Sequence, residues 1–336
     1  MHRRQEHLHW RRARESHQDH RERPLINKNA NDINIFEKLK NRKFIGTLAG
    51  IAAAVCYGTN PLGALKLYAT GMQTNSVLFY RFGLAWVIIA IVMLFRKENF
   101  KVTRQEFRVL TGLGLLFIVS SLTLYLSFHY MAAGVASTIL FTYPVMTAVI
   151  MALFFHERVT FATLLSLLLS GVGVVLLYWS DNGEALSTIG VLLVLASALS
   201  YALYIILMNK GNLQMSSIKI NFYVLLYCAL GMVVYSLVAG LPLTLPRGAF
   251  SWFYVGWLAL VPGIFALVLM VYAAKYVGST ATAILGALEP LTAVLIGLLV
   301  FNEPFTAYLA IGIVLILAAV VIIAMAQQKK KTYIQT

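Results

Sequence analysis

Three ionisable side chains stand inside otherwise apolar runs of this sequence: Lys66, Arg81 and Glu289. If those runs cross a bilayer, burying such a charge in hydrocarbon costs at least about 2.5 kcal/mol, so each must snorkel to the interface, find a partner or face a polar space. At 1.5 Å per residue, Lys66 lies about 33 Å along its run from Phe44, which reaches the outer interface and predicts snorkelling. Arg81 lies roughly 8 Å inward from Ser76, and Glu289 roughly 15 Å from Ser279, close to the midplane. For Arg81 two readings are open, a charge-paired helix lock or a guanidinium that attracts a substrate carboxylate. For Glu289 the alternatives are a neutral acid bonded to a freed carbonyl, or a group that takes up a proton when the site is empty and holds an ammonium when ionised.

Neutral polar residues gather at matching depths. Tyr143 and Glu289 each stand immediately before a proline, Pro144 and Pro290. Tyr57 and Tyr201 occupy a second pair of equivalent positions, with Asn60 and Tyr204 about one turn further along the same faces. Singly, such residues are glue between helices. As a set, Tyr57, Asn60, Tyr143, Tyr201, Tyr204 and Glu289 make a candidate polar lining, with Arg81 toward its outer mouth. Pro144 and Pro290 free carbonyls that need protein or water partners, so they read either as packing bends or as helix breaks at a central cavity. Pro262 reads as a packing bend.

The elements that must carry these residues are membrane helices. The 336 residues are 60% hydrophobic and only 12% charged, with a mean hydropathy of +0.77, which is too apolar for a soluble domain. From Phe44 onward the chain is a succession of apolar segments near the roughly 20 residues that cross a bilayer. The expected helices cover 44–68, 76–95, 108–130, 134–154, 161–179, 188–209, 218–239, 251–273, 279–300 and 305–326. The fold class is therefore all-α, a polytopic membrane protein with ten transmembrane helices. Twelve Lys or Arg fall in residues 1–43 and fifteen in everything that follows. Residues 1–43 are too polar to order themselves and are expected to be a disordered basic cytoplasmic tail; residues 327–336 are a second cytoplasmic tail. With the N-terminus inside, the inner loops collect Arg96, Lys97, Lys101, Arg104, Arg108, Arg158, Lys210, Lys219 and Lys275, while the outer loops hold Arg247. An even helix count returns the C-terminus to the cytoplasm. Trp179, Trp252, Tyr254 and Trp257 are expected to form an outer aromatic belt.

The chain also matches itself at a shift of about 145 residues. Tyr130, Pro144, Phe155, Glu157 and Thr160 align without a gap onto Tyr276, Pro290, Phe301, Glu303 and Thr306. Each unit, 44–180 and 188–326, holds five helices, so the second enters the membrane from the opposite side and the two form an inverted repeat. Glu157 and Glu303 themselves read as turn caps.

Several function classes are excluded or disfavoured. No GxxxxGK[ST] loop occurs, so ATP does not drive this chain directly. Neither a GxSx nucleophile turn nor HExxH is present, and His129 and His156 lie near helix ends, where capping explains them. No cofactor or metal site is expected: the tail histidines lack ligand spacing, and Cys56 and Cys228 lie in apolar runs. The basic tail holds only Trp10 and Phe36 as aromatics, which argues against nucleic acid.

The stretches TYPVMTAVIMALFFHERVT (142–160) and LEPLTAVLIGLLVFNEPFT (288–306) resemble the two EamA repeats of the drug/metabolite transporter superfamily. Tyr80-Arg81-Phe82-Gly83 resembles that family's arginine near the outer end of the second helix. The resemblance covers roughly 44–326 and leaves the tail outside it. It implies a ten-helix fold with both termini inside, and secondary transport across a bacterial inner membrane. The implied partners are a small-molecule substrate and the lipid bilayer; a proton as coupling ion is one outcome of the Glu289 reading above, with facilitated diffusion the other. Relatives of this kind export amino acids, other metabolites or drugs; a membrane-embedded enzyme or lipid-handling protein is the alternative from a different class.

Overall fold

The computed structural model describes residues 43–155, 159–178 and 186–335. The expectations for residues 1–42, His156, Glu157, Arg158 and Trp179 fall outside the described residues. Ten described helices are long and apolar enough to cross a membrane: α1 Lys43–Tyr68, α2 Thr74–Phe95, α3 Arg104–Ser127, α4 Ala133–Phe154, α5 Phe161–Tyr178, α6 Thr188–Lys210, α7 Ser217–Ala239, α8 Gly248–Val277, α9 Ala281–Phe301 and α10 Ala307–Ala326. No strand occurs among the described residues.

Two boundaries depart from the sequence reading. Helix α3 begins at Arg104 and not near 108, because Thr103 and Glu106 form a reciprocal capping box. Helix α8 runs longer at both ends than 251–273, and its interior contains a π-helical turn, Val261–Phe265, around Pro262. The wider turn accommodates a residue that has no N–H to give.

Packing follows the repeat. Helix α2 lies against α7, α4 against α9 and α5 against α10; α3 packs on α6 as α8 packs on α1. Exchanging helices one to five for six to ten leaves that pattern unchanged, as an inverted repeat requires. The α2–α7 pair is pinned at both ends. At the end where α2 begins and α7 finishes, Asn75 donates to Ser236 Oγ at 2.8 Å, and Ser76 Oγ accepts from the Thr244 N–H at 2.9 Å. At the opposite end Ser216 donates to Glu98 at 2.6 Å, and the Tyr223 hydroxyl donates to the Phe100 carbonyl. Small residues close the α3–α6 seam, where Ser197 Oγ donates to the Ser120 carbonyl at 2.7 Å.

Helices α1, α4 and α9 are each interrupted near mid-span. The regular helix gives way at Thr59 in α1, at Phe141 and Thr142 in α4, and at Ala287 in α9. Each interruption lies two or three residues before a proline, Pro61, Pro144 or Pro290. The missing proline N–H removes one i to i−4 bond at each place.

Candidate functional site

The site is built on those three breaks. Pro61 cannot donate to the carbonyl of Tyr57, its i−4 residue. The side-chain amide of Asn60 donates to that carbonyl instead, at 3.0 Å, and Thr59 Oγ1 bonds the Cys56 carbonyl at 2.7 Å. Gly58 lets the α1 break lie directly on α9: a Cβ there would stand 2.5 Å from Thr292 Cβ and 2.6 Å from the Glu289 carbonyl oxygen. The breaks of α4 and α9 also meet, with the Phe141 ring 3.6 Å from where a Cβ on Gly286 would be.

Around this junction stand four tyrosines. The Tyr143 and Tyr201 rings meet edge to face at 4.7 Å between centroids, and Tyr201 stacks on Tyr204 at 5.7 Å with an interplanar angle of 5°. Phe117 backs the pair, 5.3 Å from Tyr204. Tyr57 comes from the α1 break beside Gly58, and Glu289 opens the second half-helix of α9. Tyr57, Tyr143, Tyr201, Tyr204 and Glu289 are each half-buried although they sit at mid-span in the interior of the bundle. They therefore line an internal space. The Glu289 carboxylate has no hydrogen-bond or ion-pair partner among the described residues. Its place in the first turn of a half-helix puts it at the positive end of the helix dipole, which favours an anion there.

Arg81 behaves differently from Glu289. It is 8% exposed, its guanidinium donates to the Tyr125 hydroxyl, and its Cζ lies 5.4 Å from the Phe82 centroid and 5.3 Å from that of Tyr125. The Tyr125 hydroxyl donates in turn to Asn60 Oδ1 at 3.2 Å. Arg81, Tyr125, Asn60 and the Tyr57 carbonyl form one hydrogen-bonded chain running from α2 through α3 to the α1 break. Two expectations change here. Arg81 is enclosed by the bundle and not held open at an outer mouth, and Asn60 has both ends of its amide engaged. Tyr125, which joins them, escaped the sequence reading because nothing in the spacing ties α3 to Arg81.

Other expected residues resolve simply. Lys66 lies in the last turn of α1, with Nζ 5.3 Å from the Phe301 ring centroid. Trp257 is not a belt residue: it lies nine residues inside α8, and its indole N–H donates to Thr59 Oγ1 at 3.2 Å. Its helical face turns it toward α1, whereas Trp252 stays exposed. His129 bonds Thr74 Oγ1 at 3.0 Å and stacks on Tyr68 with centroids 4.3 Å apart. Glu303 caps a helix terminus, but it is the N-terminus of α4 in the other repeat: its carboxylate accepts from the N–H groups of Ala133 and Gly134 at 2.9 and 3.3 Å. No group of three or more His, Cys, Asp and Glu able to hold a metal occurs among the described residues. An apolar groove of about 480 Å³ lies apart from the junction, between α2, α7 and Trp252.

Ten spans, two-fold helix packing and broken helices meeting at mid-depth define a membrane carrier of inverted-repeat construction. The EamA-like transporter family matches residues 44–179 and again 188–325. The chain belongs to that family. It is 29% identical over 277 residues to an uncharacterized transporter of Archaeoglobus fulgidus, covering 82% of this chain and 95% of the relative. It is 22% identical to the uncharacterized transporter YcbK of Bacillus subtilis, covering 77% of this chain and 86% of that one. One solved crystal structure superposes with a TM-score of 0.61 over 84% of this chain and 98% of its own, at 18% identity, a likeness of fold.

Proposed function

We propose that this transporter is a secondary carrier that exports a small amphipathic metabolite, such as an amino acid, across a bacterial inner membrane with both termini in the cytoplasm. The observation that carries this reading is the Glu289 carboxylate, unpaired and half-buried, among the rings of Tyr57, Tyr143, Tyr201 and Tyr204. A carboxylate flanked by aromatic faces suits an ammonium group, through charge and cation–π attraction together. With the Arg81 guanidinium buried against Phe82 and Tyr125, the amino end of the substrate is the end this site recognises. The same carboxylate takes a proton when no substrate is present, which makes a proton the coupling ion.

Counterflow in proteoliposomes with a panel of metabolites tests the reading. Amines and amino acids should accumulate chemically unchanged against unlabelled substrate inside, and should compete with one another. A panel in which only lipophilic cations exchange points instead to drug efflux, the reading favoured by the apolar groove beside α2. Conversion of any solute to a new product would put a membrane-embedded enzyme or lipid-handling protein in place of the carrier. Orientation is checked separately. Tags at positions 182 and 244 should be reached from outside intact cells, and tags at 100 and 214 only after permeabilisation; the reverse pattern overturns the cytoplasmic placement of both termini.

A further inference from the structure

We infer that Glu303 is the latch of an outer gate, holding the external ends of α4 and α9 together so that the Glu289 site is closed to the outside. The placement starts with a local turn. Asn302 ends α9 in the left-handed region at φ 53°, which its short polar side chain tolerates, and the Glu303 N–H returns to the Gly297 carbonyl at 3.0 Å. That reversal folds the Glu303 side chain back over Gly297 of its own helix and onto the seam with α4 of the other repeat. There each carboxylate oxygen takes one of the first two free N–H groups of α4, from Ala133 and Gly134. Such bonds are charge-assisted and lie on the positive end of the helix dipole.

The seat is shaped for the carboxylate. A methyl group on Gly297 would collide with the Glu303 carboxylate, and a Cβ on Gly134 would come within 2.9 Å of Val294 Cα. Two glycines, one from each repeat, thus let α4 and α9 close on a charged group. Met151 stands where Gly297 stands when the repeats are aligned on Pro144 and Pro290, so the aligned position carries a long side chain in place of the glycine.

Packing along α4 matches a closed outer end and a looser inner one. In the outer segment, Ala133–Leu140, six residues are buried: Ala133, Gly134, Val135, Ala136, Thr138 and Ile139. In the inner segment, Tyr143–Phe154, Val145 alone is buried. The break between the segments carries Tyr143, and the facing break carries Glu289, so parting the outer ends would open a route to the proposed site. Carriers of this construction alternate by moving one half against the other around a fixed site, and Glu303 spans that moving boundary.

Side-specific labelling tests the latch without reference to any substrate. In the full chain carrying Cys56→Ser and Cys228→Ser, Tyr204→Cys places a thiol at the internal space, and a membrane-impermeant thiol reagent is applied to intact cells or to inverted vesicles. Adding Glu303→Gln should raise the rate of external labelling by about tenfold, the shift expected when a charge-assisted contact is lost from one of two states. Gly297→Ala expels the carboxylate from its seat without removing its charge, and should act in the same direction. Internal labelling should stay level or fall in both variants. Unchanged external labelling in both would overturn the latch. So would faster labelling from both sides together with a lowered melting temperature, because that is the signature of a structural cap. Failure of counterflow for every amine would overturn the substrate reading and leave this result standing.

Discussion

The two repeats share a backbone plan and differ in what they place at its equivalent points. At the residue before the mid-span proline, the first carries the phenol of Tyr143 and the second the carboxylate of Glu289. The packing that surrounds them is exchanged by the two-fold operation: α3 on α6, and α8 on α1. Symmetry therefore supplies the scaffold and the paired breaks of α4 and α9, while the α1 break, with no counterpart in the continuous α6, and the Tyr143/Glu289 difference depart from it. A carrier with a carboxylate in both repeats would hold two like charges close together at mid-depth, where each raises the energy of the other. One phenol and one carboxylate give a site with a single formal charge and an aromatic wall.

The sharpest way to break this contrast is Glu289→Gln, which keeps hydrogen-bonding capacity and removes the charge and the titration. The variant should insert normally, lose transport by more than about tenfold, and lose the pH dependence of what remains; wild-type rates with an unchanged pH profile would make the carboxylate structural. Next in size is Arg81→Ala, which leaves Tyr125 without its partner and opens a gap among buried rings. At matched membrane abundance it should lower transport clearly more than Lys66→Ala, whose ammonium stands at the last turn of α1. Equal transport by Arg81→Ala and wild type would reduce the Arg81 chain to packing. Tyr125→Phe keeps the ring and removes one hydroxyl, leaving the guanidinium unsatisfied and freeing Asn60 Oδ1; it should lower stability by about 1–3 kcal/mol and transport by less than Arg81→Ala does. Thermal unfolding in detergent measures the first and counterflow the second.

The smallest effect belongs to His129. Burial holds its imidazole below the ordinary histidine range, so the neutral ring bonded to Thr74 is the folded form. Its contribution is complete above the unfolded value and is lost as pH falls toward the lowered folded one. Between about pH 7.5 and about pH 5 the melting temperature of the wild type should drop a few degrees more than that of His129→Gln. Parallel curves for the two proteins would show that His129 carries no part of the acid sensitivity.

Much of this fold was legible because the bilayer imposes a length on every apolar run, and because the Pro144–Glu157 and Pro290–Glu303 spacings are hard to repeat by accident. The depth of Glu289 followed from the same rise per residue. What the sequence did not disclose is tertiary. Tyr125 looked like any aromatic in α3 until α2 brought Arg81 against it, and Trp257 looked like an interface ring because its position was counted but its face was not. Glu303 was read as a cap, and it is one, yet nothing local says that the helix it caps lies 170 residues earlier in the chain. The start of α3 was the exception: Thr103 and Glu106 spell a capping box that could have placed the boundary from sequence alone.

The bond from Asn60 to the Tyr57 carbonyl has a consequence for how this chain can vary. Asn60 supplies the donor that Pro61 withholds, and with its other end it receives Tyr125. The two residues are thus a linked genetic unit. Losing Asn60 while Pro61 remains orphans a carbonyl in the middle of the membrane, whereas a chain that first regains an N–H at position 61 leaves position 60 with the bond from Tyr125 as its remaining duty. A library randomised at both positions and selected for folded protein should return the pair Asn-Pro and a broad class lacking proline at 61, with few survivors that keep the proline beside an apolar residue.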